Sequence, residues 1–128
     1  MKTLRVGIAS YEEMKARTMA IARGQYKPSA NEPKVWFNSA ESFARILSGP
    51  NRAMLQIIAA AAPESLARLA ELTGRKKSNL SRTLRTMERY GVVELKRGAR
   101  GSVVPKVSCQ TISLELPLSR PARNRPAA

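Results

Sequence analysis

The chain has 128 residues, a formal net charge of +14 and 43% hydrophobic residues. Its length and hydrophobic content suffice for one folded domain with its own core. It contains no histidine and no aspartate, and Cys109 is its only thiol. Zinc sites, Ser–His and Cys–His nucleophile pairs and an internal disulfide are therefore excluded. The nine acids are all glutamates and, apart from Glu12 and Glu13, are scattered singly along the chain, so we expect neither enzymatic activity nor a cofactor.

The charge and the hydropathy pattern also restrict the partners. A sequence pI near 11.1 predicts a polyanionic partner, and nucleic acid is the first expectation. The longest apolar run, residues 57–62, is far shorter than the roughly 18 residues of a membrane span. The N-terminus lacks the apolar core of a signal peptide. We therefore expect a cytoplasmic protein that has no membrane partner and is associated with the nucleoid when bound to DNA.

The first predicted elements are a strand and a helix. Residues 3–9 alternate apolar and other side chains, which is the period of a half-buried strand. Ser10 and Glu13 form a capping-box pattern, which predicts a helix from Tyr11 to Arg23 that ends at Gly24. One face of this helix either packs against its own domain or contacts a second copy; it carries Tyr11, Met14, Thr18 and Ile21.

The next elements carry little charge and are interpreted as a scaffold. A proline-containing loop precedes a short strand at residues 35–37, in which Trp36 is assigned to packing. Ser39 is predicted to cap a helix over residues 40–47. Asn51 is predicted to cap a third helix over residues 52–62.

A helix, a glycine turn and a second helix follow. Ser65 is the expected N-cap of the first helix, and Gly74 can adopt the positive φ that lets the chain turn sharply. The second helix spans Lys77 to Tyr90, and its apolar stripe recurs at helical spacing through Leu80, Leu84 and Met87. This order of elements is that of a helix-turn-helix.

The second helix and the hairpin after it concentrate positive charge. Residues 75–106 contain ten lysines and arginines against two glutamates, a net +8. Arg82 and Arg89 lie nearly opposite the apolar stripe of the helix, so a basic face is expected to point outward. Residues 92–96 and 102–107 predict a hairpin whose tip carries Arg97 and Arg100. A basic hairpin directly after such a helix is the wing of a winged helix.

Another strand and a tail complete the predicted organisation. Residues 111–116 alternate and are expected to pair with residues 3–9, either within one chain or across a dimer. The fold class is α+β and mainly helical, a winged helix-turn-helix with two additions. The predicted segments are an N-terminal strand-helix extension and linker that could dimerise (1–34), the DNA-binding domain (35–107), a C-terminal strand (108–118) and a disordered basic tail (119–128).

Several stretches resemble a known family. The run "PESLARLAELTGRKKSNLSRTLRTMERYGVVEL" with "KRGARGSVVPKV" resembles the winged helix-turn-helix of bacterial regulators of the MarR/ArsR-like type. With "LRVGIASYEEMKARTMAIARG", "KVWFNSAESFARILS" and "TISLEL", the chain is similar to a family of small prokaryotic predicted transcriptional regulators, often regarded as antitoxin-like. The resemblance implies a dimeric DNA-binding repressor and, as an alternative, an antitoxin with a toxin partner. It places the recognition helix at Lys77–Arg89 and the wing at Lys96–Lys106, but the long dimerisation helices of ordinary MarR proteins are missing.

Three hypotheses for the function follow from these patterns. The first is a sequence-specific transcriptional regulator that binds double-stranded DNA as a homodimer. In that hypothesis base edges are contacted by Ser78, Asn79, Arg82 and Arg85, with arginine pairing with guanine and asparagine with adenine. Phosphates are contacted by Lys76, Lys77, Arg89, Arg97 and Arg100. The second hypothesis is an antitoxin that neutralises a toxin, and the third is a nonspecific architectural DNA-binding protein.

Overall fold

A computed structural model of the chain describes residues 2–116 and 118, and within them the fold is α+β, with five α-helices and two small sheets. The predicted disordered tail, residues 119–128, lies outside the described residues. The strands are β1 (Thr3–Ile8), β2 (Val35–Phe37), β3 (Val93–Arg97), β4 (Val103–Val107) and β5 (Thr111–Glu115). The helices are α1 (Tyr11–Ala22), α2 (Ala40–Ile46), α3 (Gly49–Ala61), α4 (Leu66–Thr73) and α5 (Lys77–Arg89).

Serine side chains determine where four of these helices begin. Ser10 accepts a hydrogen bond from the Glu13 N–H at 3.1 Å while its own N–H donates to the Glu13 carboxylate at 2.7 Å, which confirms the predicted capping box. Ser39 and Ser65 cap α2 and α4 as predicted. Each cap satisfies an N–H group that has no partner inside its helix.

The predicted start of α3 is wrong. The helix begins at Gly49, with Ser48 as its N-cap, and Pro50 lies in the first turn. Proline is tolerated there because the first-turn N–H groups have no intrahelical acceptor and the fixed φ of proline suits a helix. Asn51 is therefore inside α3, where its side chain donates to the Ile46 carbonyl at 2.9 Å.

Three helices and the start of β3 form the hydrophobic core. Leu80, Leu84 and Met87 of α5 are fully buried, which confirms the predicted apolar stripe. They pack with core residues of α3, of α4 and of the segment that follows α5: Met54, Ile58, Leu66, Leu69, Val92 and Val93. Burying so many large apolar side chains fixes α5 by one face only and leaves its opposite face free.

The first and last strands lie side by side in a parallel sheet of order β2-β1-β5. Thr3 pairs with Thr111 and Val6 with Leu114, so the predicted pairing forms within one chain. Leu4 and Ile112 are partners on one face of this sheet, and both pack against the core. The sheet thus joins both end segments of the described chain to the helical body.

The opposite face of the sheet is covered by an aromatic side chain. Trp36 pairs with Gly7 across β1 and β2, and a Cβ atom added to Gly7 would lie 2.6 Å from Cζ3 of the Trp36 ring. The guanidinium of Arg17, on α1, lies 5.2 Å from the centre of the same ring and forms an ion pair with Glu32 at 2.9 Å. Trp36 therefore has the packing role expected of it.

We expect Gly7→Ala to destabilise the fold by about 1–3 kcal/mol, because its methyl group would overlap the Trp36 ring and crowd Pro33. Urea unfolding followed by tryptophan fluorescence measures this free energy. Gly49→Ala is the matched control, since an added Cβ there meets no atom within 4 Å. Equal unfolding midpoints for the two variants would contradict the close approach of Trp36 to β1.

Helix α1 has no buried residue, as is also true of the shorter helix α2. Its Tyr11 side chain is 76% exposed and its Met19 side chain is 44% exposed. The face with Met14 and Ile21 is only half-buried. Within residues 2–116 that face is therefore only partly covered, and the predicted contact with a second copy stays a prediction.

Two smaller features complete the fold. Cys109 is half-buried as expected, and burial raises the pKa of its thiol despite a smaller opposing effect of the charge on Lys2. No helix within residues 2–116 is both long and apolar enough to cross a membrane.

Candidate nucleic-acid interface

The outward face of α5 carries a row of exposed polar and basic side chains. Ser78, Arg82, Arg85 and Arg89 are exposed and line one shallow depression on the surface. An α-helix turns by about 100° per residue. This rotation places the four residues on the side of α5 opposite Leu80, Leu84 and Met87. The core thus holds α5 with its basic side turned to solvent.

The cations on this face have few partners. Within residues 2–116, the side chains of Arg82 and Arg85 make no ion pair and no hydrogen bond. Arg89 donates to the Thr86 hydroxyl at 3.4 Å, a long and weak bond. Exposed guanidinium groups without protein partners remain available for an anionic ligand.

The beginning of α5 differs from that of the other helices. Its N-cap is Lys76, which makes no side-chain hydrogen bond to the first turn. Lys76, Lys77 and Ser78 are all exposed at this end. Free first-turn N–H groups and neighbouring cations both favour negative charge.

The turn between α4 and α5 is held by hydrogen bonds. Gly74 ends α4 with a φ of +74°, the left-handed conformation that was predicted for it. Arg75 then donates from its guanidinium to Oδ1 of Asn79 and to Oδ1 of Asn51. The backbone N–H of Arg75 donates to the Thr73 hydroxyl at 3.2 Å, so hydrogen bonds join the turn to both α4 and α5.

Strands β3 and β4 form the predicted antiparallel hairpin, in which Arg97 pairs with Val103. At its tip the Gly98 N–H donates to the Ser102 carbonyl at 2.8 Å. Arg100 has a left-handed backbone with a φ of +59°, which is unusual for a residue other than glycine. Arg97 and Arg100 are both exposed.

A glutamate connects α5 to this hairpin. The Glu88 carboxylate accepts a hydrogen bond from the N–H of Leu95, on β3, at 3.2 Å. Gly91 makes the intervening turn with a φ of +80°. The acid near the end of α5 therefore helps to fix the hairpin against the helix, although it lies among cations.

The structure brings together some of the predicted site residues and separates others. Ser78, Arg82, Arg85 and Arg89 share the outward face of α5, and Arg97 and Arg100 lie at the hairpin tip. Asn79 is half-buried, and its amide oxygen is bonded to Arg75. The sequence did not mark Arg75, Asn51 and Glu88 as positioning residues. Asn51 lies 24 residues from Arg75, and the Leu95 N–H that Glu88 accepts from lies seven residues away on another element.

The geometry defines a class of protein: a small α+β chain in which two helices joined by a short turn are followed by a hairpin, with a basic outward surface. The HVO_A0114 family model matches residues 46–114, more than half of the chain, and the chain belongs to the HVO_A0114 family. The match spans α3 through most of β5 and includes the whole basic segment. No curated protein and no solved structure matches the chain.

Proposed function

We propose that the protein is a sequence-specific DNA-binding transcriptional regulator, acting as a repressor, and that residues 35–107 are a winged helix-turn-helix of the MarR/ArsR-like type. The observation that carries this proposal is the outward face of α5, whose arginines are exposed and have no acidic partner within residues 2–116. A protein that used these arginines for its own stability would pair or bury them.

In this proposal α5 is the recognition helix and enters the major groove. Ser78, Arg82 and Arg85 contact base edges, because the fork of an arginine matches the two acceptors of guanine. Lys76, Lys77 and Arg89 contact phosphates beside the groove. The β3–β4 hairpin is the wing, and Arg97 and Arg100 contact the backbone or the minor groove.

A polarisation titration tests the proposal directly. The labelled probes are duplex DNA from upstream of the protein's own gene and a scrambled duplex of equal length and composition. At physiological salt, a specific regulator binds the upstream duplex with an affinity roughly a thousandfold or more higher than its affinity for the scrambled duplex. Equal affinities with a steep salt dependence would favour a nonspecific architectural protein, and the absence of binding to either duplex would reject DNA binding.

The wing arginines should act on all sequences alike. We expect Arg100→Gly to weaken binding to both duplexes equally and to lower the slope of log K against log salt by roughly one. The same change should leave the melting temperature equal or higher, because glycine adopts the left-handed backbone of residue 100 without strain. An unchanged salt slope would show that Arg100 does not contact phosphate.

An antitoxin role is a second candidate, favoured by apolar side chains exposed outside the recognition helix and wing. Tyr11 and Met19 lie on α1, and Leu114 and Leu116 lie on or just after β5. Such side chains suit a protein partner, either a toxin or the second copy of a homodimer. Co-purification with the product of the adjacent gene tests for a toxin partner. The molecular mass in solution tests for a homodimer.

A further inference from the structure

The side chain of Arg75 is directed into the protein although it stands at the start of the basic segment. Its Nε and Nη2 atoms donate to Oδ1 of Asn79 at 3.0 and 2.8 Å. Its Nη1 atom donates to Oδ1 of Asn51 at 3.0 Å, and Asn51 in turn donates to the Ile46 carbonyl. One guanidinium thus links the first turn of α5 to α3 and to the end of α2.

The orientation of the Asn79 amide follows from this contact. A guanidinium has donors only, so the Asn79 atom that faces it must be the amide oxygen. That oxygen has two lone pairs, and two N–H groups of Arg75 occupy them. The remaining hydrogen-bonding capacity of Asn79 is the pair of hydrogens on Nδ2.

This arrangement contradicts the pairing expected from the sequence. Asparagine recognises adenine by accepting from the N6 amino group and donating to N7, which needs a free amide oxygen. Asn79 lacks that free acceptor. An amide that only donates is best matched by a base edge with two acceptors, which is guanine with N7 and O6.

We propose that Arg75 is a positioning residue that makes Asn79 a donor-only reader, so that Asn79 selects guanine over adenine. Arg75 itself does not contact DNA. The inference rests on the proposed function, because it assigns a base preference to one residue of the recognition helix.

The test is selection of binding sites from a random duplex pool, followed by polarisation titration of matched guanine and adenine sites. We expect the wild type to show one position where guanine is preferred about tenfold or more, and this preference to vanish in Asn79→Ala. In Arg75→Ala, which removes every donor of the side chain, the freed Asn79 oxygen should shift that position toward adenine. The salt slope should stay unchanged in Arg75→Lys and in Arg75→Ala.

Each other outcome overturns a defined part of the argument. A lower salt slope in Arg75→Ala would make Arg75 a phosphate contact, and an adenine preference in the wild type would mean that Asn79 keeps a free acceptor. Either result overturns the inference while the proposed function stands. A wild type that selects no sequence overturns both. Asn79→Ala leaves the bond between Arg75 and Asn51 in place, so it decides the base preference even if the Arg75 variants fail to fold.

Discussion

Replacing Arg82 and Arg85 together by alanine is expected to weaken specific duplex binding strongly and to leave the fold intact. Each good bidentate arginine–guanine pair contributes about 1–3 kcal/mol of discrimination. Losing two such pairs lowers the affinity for the specific site roughly thirtyfold or more. Both side chains are exposed and make no ion pair within residues 2–116, so stability should change little.

The control for this variant removes the same charge elsewhere. Lys15→Ala with Arg23→Ala also removes two exposed cations, but these lie on α1 and directly after it. Polarisation titrations at several salt concentrations compare the two double variants on the specific and the scrambled duplex. If both weaken binding to the two duplexes by the same factor, the face of α5 does not read bases and only long-range attraction remains.

Phe37→Ala is expected to cause the largest loss of stability. Phe37 is 1% exposed, and its ring stacks on Tyr90 with centroids 4.1 Å apart and planes within 7°. The Phe37 ring also forms an edge-to-face pair with the Phe43 ring, with ring centroids 5.3 Å apart. Removing a buried phenylalanine typically costs about 3–5 kcal/mol, a large part of the stability of a small domain.

The position of Phe37 gives this loss a second consequence. Tyr90 is the C-cap of α5, so the stacked rings connect the β2-β1-β5 sheet to the end of the proposed recognition helix. Thermal unfolding followed by circular dichroism measures the destabilisation, with Phe43→Ala as the control that deletes the same atoms from a half-buried site. Equal losses for the two variants would show that the stack on Tyr90 adds nothing.

Local signals in the sequence predicted the ends of most elements. A serine cap accepts from an N–H group three residues later, so a few neighbouring residues are enough to predict it. Gly74 lies between two segments with helical periodicity, which is enough to predict the end of the first helix. Ser48 was the exception. The following Gly49-Pro50 pair resembles a stop, yet in the first turn of a helix it is compatible with a start.

The features that the sequence could not settle depend on distant partners. The alternation in residues 111–116 predicted a strand, but whether β5 meets β1 of its own chain depends on the packing of Leu4 and Ile112 on the core. The inward turn of Arg75 depends on Asn51, which is close only after α3 and α5 have packed. A count of cations treats Arg75 and Arg82 alike, although Arg75 is hydrogen-bonded to Asn51 and Asn79 and the Arg82 side chain has no partner within residues 2–116.

The side-by-side placement of β1 and β5 also has a consequence for synthesis on the ribosome. The strand at residues 3–8 cannot find this neighbour until residues 111–115 have been translated, roughly 5–20 s later at ordinary elongation rates. The segments of helices α3 to α5 are translated within that interval, and β4 ends only shortly before β5 begins. The three-stranded sheet is therefore completed only after every residue of the proposed recognition helix has been synthesised.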